Sequence, residues 1–174
     1  MSTVHDLRSI GDFPLQGSQL IEASAGTGKT WTIAMLYLRL VLGPHPGAAA
    51  IERALHPREI LVVTFTDAAT QELKNRIRQR LAEAASVFRD GQRDPDAWPE
   101  ALQPIAALRA LYPPTDWPAL AQRLQYAADA MDEAAIATLH GWCQRVLREQ
   151  AFASGTPFTL TLVPDPADAI EEAA

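Results

Sequence analysis

A short loop near the N-terminus carries the residue types that bind phosphate. The apolar pair Leu20-Ile21 precedes it, the triplet Gly28-Lys29-Thr30 closes it, and an apolar stretch follows over residues 31–42. Small residues let backbone N–H groups turn toward a polyphosphate, a lysine adds charge for its β- and γ-phosphates, and a threonine hydroxyl can ligate Mg²⁺. We therefore predict a strand–loop–helix phosphate site, the Walker A pattern. Its binding residues would be Ala23, Ser24, Ala25, Gly26, Thr27, Gly28, Lys29 and Thr30, with Thr30 as the metal ligand.

The loop departs from the strict pattern at its first position, where Ala23 stands in place of glycine. The alternative interpretation is a glycine-rich turn between a strand and a helix, with an exposed lysine. The flanking apolar segments favour the phosphate site, because they supply the strand and the helix that such a loop connects.

Composition excludes several classes of protein. The 174 residues are 48% hydrophobic with a mean hydropathy of -0.07, which is typical of a globular domain rather than a disordered or fibrous chain. The apolar stretch 31–42 is too short to span a bilayer, so we expect a cytoplasmic protein. A lone cysteine, Cys143, excludes an internal disulfide and a cysteine-cluster metal site. The net charge of -6 means that any nucleic-acid contact must be local.

The pattern of apolar residues predicts an α/β fold. Strands are predicted over residues 19–23, 59–65 and 135–139, the second of them as a buried parallel strand. Helices are predicted over 28–42, from an N-cap at Asp67, from an N-cap at Asp116 to about 131, and over 141–150. A strand, a helix and a strand in succession form a parallel βαβ unit.

Residues 90–118 differ from the rest, because they hold six prolines and three large aromatic residues. They indicate a helical insertion on the α/β core, at about 90–131. An extended run follows over 158–163, and Asp165-Pro166 is typical of a helix start. Since the chain stops eight residues after Pro166, we expect an incomplete motor domain that includes residues 1–174.

Three blocks in order resemble the opening motifs of superfamily 1 DNA helicases of the UvrD/Rep type. The first runs over residues 14–30, the second is Val63-Thr64-Phe65-Thr66-Asp67-Ala68-Ala69-Thr70, and the third is Thr138-Leu139-His140-Gly141-Trp142-Cys143. Residues 21–30 and 131–135 are most similar to the corresponding segments of the RecB-type helicase–nucleases. The resemblance implies a P-loop, RecA-like motor domain 1A that uses ATP and Mg²⁺ in DNA repair and recombination. It also implies DNA ends as substrate and RecC-like and RecD-like subunits as partners.

The same resemblance assigns roles to single residues. Gln16 matches the glutamine that reads adenine, which suits an amide because it can donate and accept. The DNA-binding residues would be Thr64, Phe65, Thr66, Thr138 and His140, with phosphate charge from Lys74 and Arg78 in the basic stretch 71–80. Phe65 and His140 could instead be a core aromatic and a structural histidine, and the basic stretch a solvated helix face.

The sequence also lacks features that the family's chemistry needs. Hydrolysis of ATP requires an acidic pair after a buried strand and arginines from a second motor domain. Residues 160–165 offer only one acid, after a proline, and nuclease carboxylates are absent. We therefore expect no catalytic residue here, and nucleotide binding without turnover. The alternatives are a small P-loop kinase or other NTPase, and a degenerate binding module without enzymatic activity.

Overall fold

The computed structural model describes residues 10–11, 13–22, 26, 28–46, 51–91 and 94–150. Within these residues five α-helices surround a small parallel sheet. The helices are α1 (Lys29–Leu42), α2 (Asp67–Arg89), α3 (Gln103–Arg109), α4 (Trp117–Asp129) and α5 (Leu139–Glu149), and the strands are β1 (Val62–Thr64) and β2 (Ile136–Thr138). Short 3₁₀ turns lie at Pro57–Glu59, Pro95–Ala97 and Ala130–Glu133. No described helix is both long enough and apolar enough to cross a membrane.

The two strands pair in parallel, with Val62 opposite Ile136 and Thr64 opposite Thr138. A parallel sheet was predicted, but the predicted burial of the strand at 59–65 was wrong. Val62 packs against the core, whereas Val63 is 46% exposed. Successive side chains of a strand point to opposite faces, and only one face of β1 is well covered.

The predicted strand at 19–23 is not found in its described part. Residues 19–22 belong to no strand, and Leu20 is 85% exposed. An apolar run of two residues has little to bury, so it forms a strand only where a neighbouring strand supplies a hydrogen-bonded ladder.

Helix α2 buries one stripe of apolar side chains in the core. Its side chains Leu73, Ile77, Leu81 and Phe88 lie in the core at helical spacing, whereas Ala69 is exposed. The predicted N-cap, Asp67, was wrong by one residue. Thr66 has the extended backbone of a cap, and its Oγ1 accepts a hydrogen bond from the N–H of Ala69 at 3.2 Å.

The prolines of the predicted insertion separate short helices that pack on α2. Helix α4 buries Leu120, Leu124 and Ala128. Asp116 stands at its N-cap position, as predicted, but makes no side-chain capping bond. Its backbone is already helical, and its carboxylate accepts from the hydroxyl of Thr115 at 3.1 Å instead.

Buried donors of the insertion satisfy carbonyls at the ends of α1 and α2. Tyr112 Oη donates to the carbonyl of Gly43 at 2.8 Å, and Arg123 donates to that of Leu42 at 2.9 Å. Arg109 donates to the carbonyls of Val87 and Asp90. The last carbonyls of a helix have no partner inside it, so these bonds fix the insertion to both helices. Burial raises the pKa of Tyr112 to about 12, which keeps its hydroxyl protonated as a donor.

Helix α5 begins two residues earlier than the predicted start at Gly141, because Thr138 caps it. Trp142 and Val146 on this helix are half-buried, whereas Cys143 is exposed. The extended run at 158–163 and the helix start at Asp165-Pro166 lie outside the described residues.

Candidate functional site

The phosphate loop leads directly into the N-terminus of α1. Gly26 has φ 76° and Gly28, the N-cap residue of α1, has φ 87°, a conformation that favours glycine. An added Cβ at either position would meet nothing within 4 Å, so the backbone angle rather than lack of space requires glycine there. Ala23, Ser24, Ala25 and Thr27 lie outside the described residues.

The first turn of α1 has the properties of an anion site. The carbonyl of Gly28 accepts from the N–H of Thr32 at 2.8 Å. The first N–H groups of an α-helix point beyond its N-terminal end, where they can bind an anion. No acid lies in this turn, and the side chains of Lys29 and Thr30 are exposed. Open space, a helix N-terminus and a lysine together fit the phosphates of a nucleotide.

A cavity of about 320 Å³ lies beside this turn. Gly28, Thr30 and Trp31 line it from α1, and Arg76, Gln79 and Arg80 are among the residues that line it from α2. These α2 residues were not predicted as part of the nucleotide site. Their spacing marks one face of a helix, but nothing local shows that this face meets α1.

Gln16 is the remaining described residue of the predicted nucleotide site. Gln16 is exposed, and its carbonyl accepts from the side-chain amide of Gln19 at 3.0 Å. Its role toward adenine stays a prediction. In the described part of the chain, no group of three or more His, Cys, Asp or Glu side chains could hold a metal ion.

A second candidate surface lies where β1 and β2 end. Because the strands are parallel and in register, Thr64 and Thr138 stand side by side. The hydroxyl of Thr66 caps α2, and that of Thr138 caps α5 by accepting from the N–H of Gly141 at 3.2 Å. Two helix N-termini therefore meet at one edge of the sheet, which we call the strand-end edge. Such termini attract anions.

Threonines hold the turn between β1 and α2. The hydroxyls of Thr64 and Thr70 are 2.5 Å apart, and both lie within 3.1 Å of the carbonyl of Thr66. Phe65 projects from this turn and is 87% exposed. The alternative that Phe65 is a core aromatic is therefore wrong. An exposed aromatic beside helix N-termini can stack on a nucleic-acid base.

The start of α5 completes the edge. His140 is exposed in the first turn, one residue after Leu139. A Cβ at Gly141 would lie 3.1 Å from the Thr138 hydroxyl, closer than most such contacts, so a larger residue would crowd the cap. Sequence reasoning named Thr138 and His140 but missed this role of Gly141.

Lys74 and Arg78 are not brought to the strand-end edge. At 1.5 Å per residue they lie roughly 12 and 18 Å along α2 from Thr66. Arg78 Nη2 is 2.7 Å and Lys74 Nζ 3.6 Å from Asp132 Oδ1, and Asp132 precedes β2 at the opposite end of the strand. The hydrogen bond from Arg78 lowers the pKa of the Asp132 carboxyl, which stays ionised to more acidic pH. Their role as DNA-binding cations stays a prediction, one that requires exchange with Asp132.

Comparison with known proteins places the chain in a family. Residues 8–170 match the UvrD/REP helicase N-terminal domain. The RecBCD enzyme subunit RecB of Escherichia coli (strain K12) is 48% identical over 152 residues, which cover 87% of this chain and 12% of that protein. The same subunit of Haemophilus influenzae is 44% identical over 155 residues, and that of Mycolicibacterium smegmatis 34% over 153, covering 89% and 88% of this chain.

The chain spans about 12% of the length of each of these curated relatives. The family match, by contrast, covers nearly all residues of this chain. The phosphate loop and the strand-end edge both lie within the matched residues. The chain belongs to the UvrD/REP helicase N-terminal domain family.

Proposed function

We propose that this chain is the ATP-binding N-terminal part of a RecB-like, ATP-dependent DNA helicase and exonuclease that acts in double-strand-break repair and recombination. The observation that carries the proposal is the Gly28-capped, acid-free N-terminus of α1 directly after the phosphate-loop sequence, in a chain of this family. The corresponding fold is a P-loop, RecA-like motor domain 1A, of which residues 1–174 form a part with a helical insertion at about 90–131. RecC-like and RecD-like subunits are the proposed partners of the whole protein.

The residues of the loop and of α1 would hold MgATP. First-turn N–H groups and Lys29 bind phosphate oxygens, Thr30 offers its hydroxyl to Mg²⁺, and Gln16 reads the adenine. When bound, MgATP supplies the phosphoryl group whose transfer to water drives a motor. In the described part of the chain neither β1 nor β2 is followed by an acidic pair, so we propose that the 174 residues bind nucleotide without turnover.

The strand-end edge would bind a single DNA strand. In this proposal Phe65 stacks on a base. The helix N-termini that Thr66 and Thr138 cap face phosphates, together with Thr64 and His140. If two or three phosphates are bound, a plot of the logarithm of the binding constant against the logarithm of the salt concentration should have a slope of roughly -1.5 to -2.

Calorimetric titration with a non-hydrolysable ATP analogue and Mg²⁺, beside a phosphate-release assay, tests the nucleotide part of the proposal. We expect weak saturable binding and no release above background. Rapid hydrolysis by the 174-residue chain would contradict the proposal, and transfer of phosphate to a small molecule would favour a kinase.

Replacing Phe65 with alanine should weaken binding of a fluorescein-labelled oligo-dT by roughly tenfold. Base stacking on an aromatic contributes about 1–3 kcal/mol, and the exposed Phe65 ring has little folding role to lose. Fluorescence anisotropy at fixed salt measures the change. Tyr126→Ala is the matched control, because Tyr126 is also exposed but lies on α4. Equal losses in both variants would show that DNA binds elsewhere.

A further inference from the structure

A polar stripe of α2 faces the first turns of α1 across the 320 Å³ cavity. It recurs at helical spacing beside the buried apolar stripe of the same helix: Glu72, Arg76, Gln79, Arg80 and Glu83. On the α1 side stand Gly28 and Thr30 of the proposed phosphate site. A cation on this stripe can therefore reach a ligand that α1 holds.

The two arginines of the stripe differ in how firmly they are held. Arg80 pairs with Glu83 at 3.1 Å, with both side chains at most 30% exposed, and also donates to the carbonyl of Ala101 at 3.4 Å. Arg76 lies 4.0 Å from Glu72, and the two side chains are 61% and 66% exposed. An exposed pair at that distance contributes little. Arg76 can thus leave Glu72 at small cost, whereas Arg80 cannot leave its partners so easily.

We infer that Arg76 is a further nucleotide-binding residue, whose guanidinium binds the phosphates of a nucleoside triphosphate held at α1. The inference rests on the proposed function and extends it to a second helix. A guanidinium fork matches phosphate oxygens and forms charge-assisted hydrogen bonds with them. It lies on the cavity wall opposite Thr30, so the ligand would touch α1 and α2 together.

This contact links the two candidate surfaces. Helix α2 begins at the strand-end edge, where Thr66 caps it, and carries Arg76 on the cavity. A nucleotide that binds Arg76 thereby contacts the helix that borders the DNA-binding edge. We expect the binding of nucleotide and of single-stranded DNA to be coupled, with a coupling free energy that is the same in both directions.

The test compares Arg76→Gln with the unchanged chain and with Arg89→Gln. Calorimetry with Mg²⁺ and the non-hydrolysable analogue should show affinity about tenfold weaker in Arg76→Gln. Arg89 lies on the same helix, roughly 20 Å further along, where it donates to Gln125 at 3.0 Å, so its variant loses the same charge away from the cavity and should bind normally. Thermal unfolding of both variants should match the unchanged chain.

A second measurement distinguishes loss of the Arg76 contact from an effect of net charge or of folding. In the unchanged chain and in Arg89→Gln, saturating analogue should change the affinity for oligo-dT, and in Arg76→Gln this change should disappear. Normal analogue binding by Arg76→Gln, with none by Lys29→Ala, would overturn the inference and leave the proposed nucleotide site intact. Equal losses in both arginine variants would overturn it as an effect of net charge. Absence of binding by the unchanged chain would refute the inference and the proposed function together.

Discussion

Lys29→Ala should reduce affinity for a non-hydrolysable ATP analogue below what calorimetry detects. The lysine begins α1, beside the glycines with positive φ, and is the cation of the proposed phosphate site. A hydrogen bond to a charged group contributes about 1.5–3 kcal/mol, so its loss weakens an already weak complex by roughly tenfold to a hundredfold. Because the side chain is exposed, the substitution should leave the unfolding temperature nearly unchanged.

Lys74→Ala is the control for this experiment. It removes the same charge from α2, where Lys74 faces Asp132 and not the phosphate loop. We expect it to bind the analogue as the unchanged chain does. Binding that survives Lys29→Ala but not Lys74→Ala would move the nucleotide away from α1 and contradict the proposed function.

The sequence predicted most of the helices, because their signal is local. The apolar spacing in α1 and α2 marks the faces that the structure buries, and both helices begin within one residue of the predicted position. The position of the cap was harder to predict. Thr66 and Asp67 are both good N-cap residues, and only the extended backbone of Thr66 decides between them.

The strand-end edge was predictable because parallel strands carry their C-terminal ends to one side. Thr64 and Thr138, which come from two separate blocks of sequence, are therefore neighbours. Contacts between distant charges have no such signal. Asp132 pairs with Arg78 across 54 positions, and no periodicity marks it as the partner of Arg78.

The buried arginine of α3 is a further case that no sequence pattern predicts. Arg109 is the last residue of a short apolar helix, a position where an arginine is usually exposed to solvent, yet it is only 1% exposed. Its guanidinium lies 4.2 Å from the ring centre of Trp117 and 5.6 Å from that of Trp98. Burial lowers its pKa, and the nearby Asp90 carboxylate opposes that shift. The aromatic residues that indicate an insertion thus form the walls around this cation.

Arg109→Ala should therefore be the most destabilising substitution among those considered for this chain. It removes donors to the carbonyls of Val87 and Asp90 at the end of α2, removes two cation–π contacts and leaves a cavity between α2 and the insertion. Hydrogen bonds from a charged group contribute about 1.5–3 kcal/mol, so we expect a loss of roughly 2–4 kcal/mol in the free energy of unfolding. At about 2–4 °C per kcal/mol for a chain of this size, the unfolding temperature should fall by roughly 10 °C.

Thermal unfolding followed by circular dichroism measures this effect, with Arg89→Ala as the control. Arg89 ends the same helix but is exposed and donates only to Gln125 among the described contacts, so its loss should change the unfolding temperature by no more than about 2 °C. Arg109→Lys should fall between the two, because an ammonium group keeps the charge but cannot reach both carbonyls with a planar fork. If Arg109→Ala unfolded at the temperature of Arg89→Ala, the insertion would not be fixed to α2 through this side chain. The packing of α4 on α2 would then be sufficient to hold the two together.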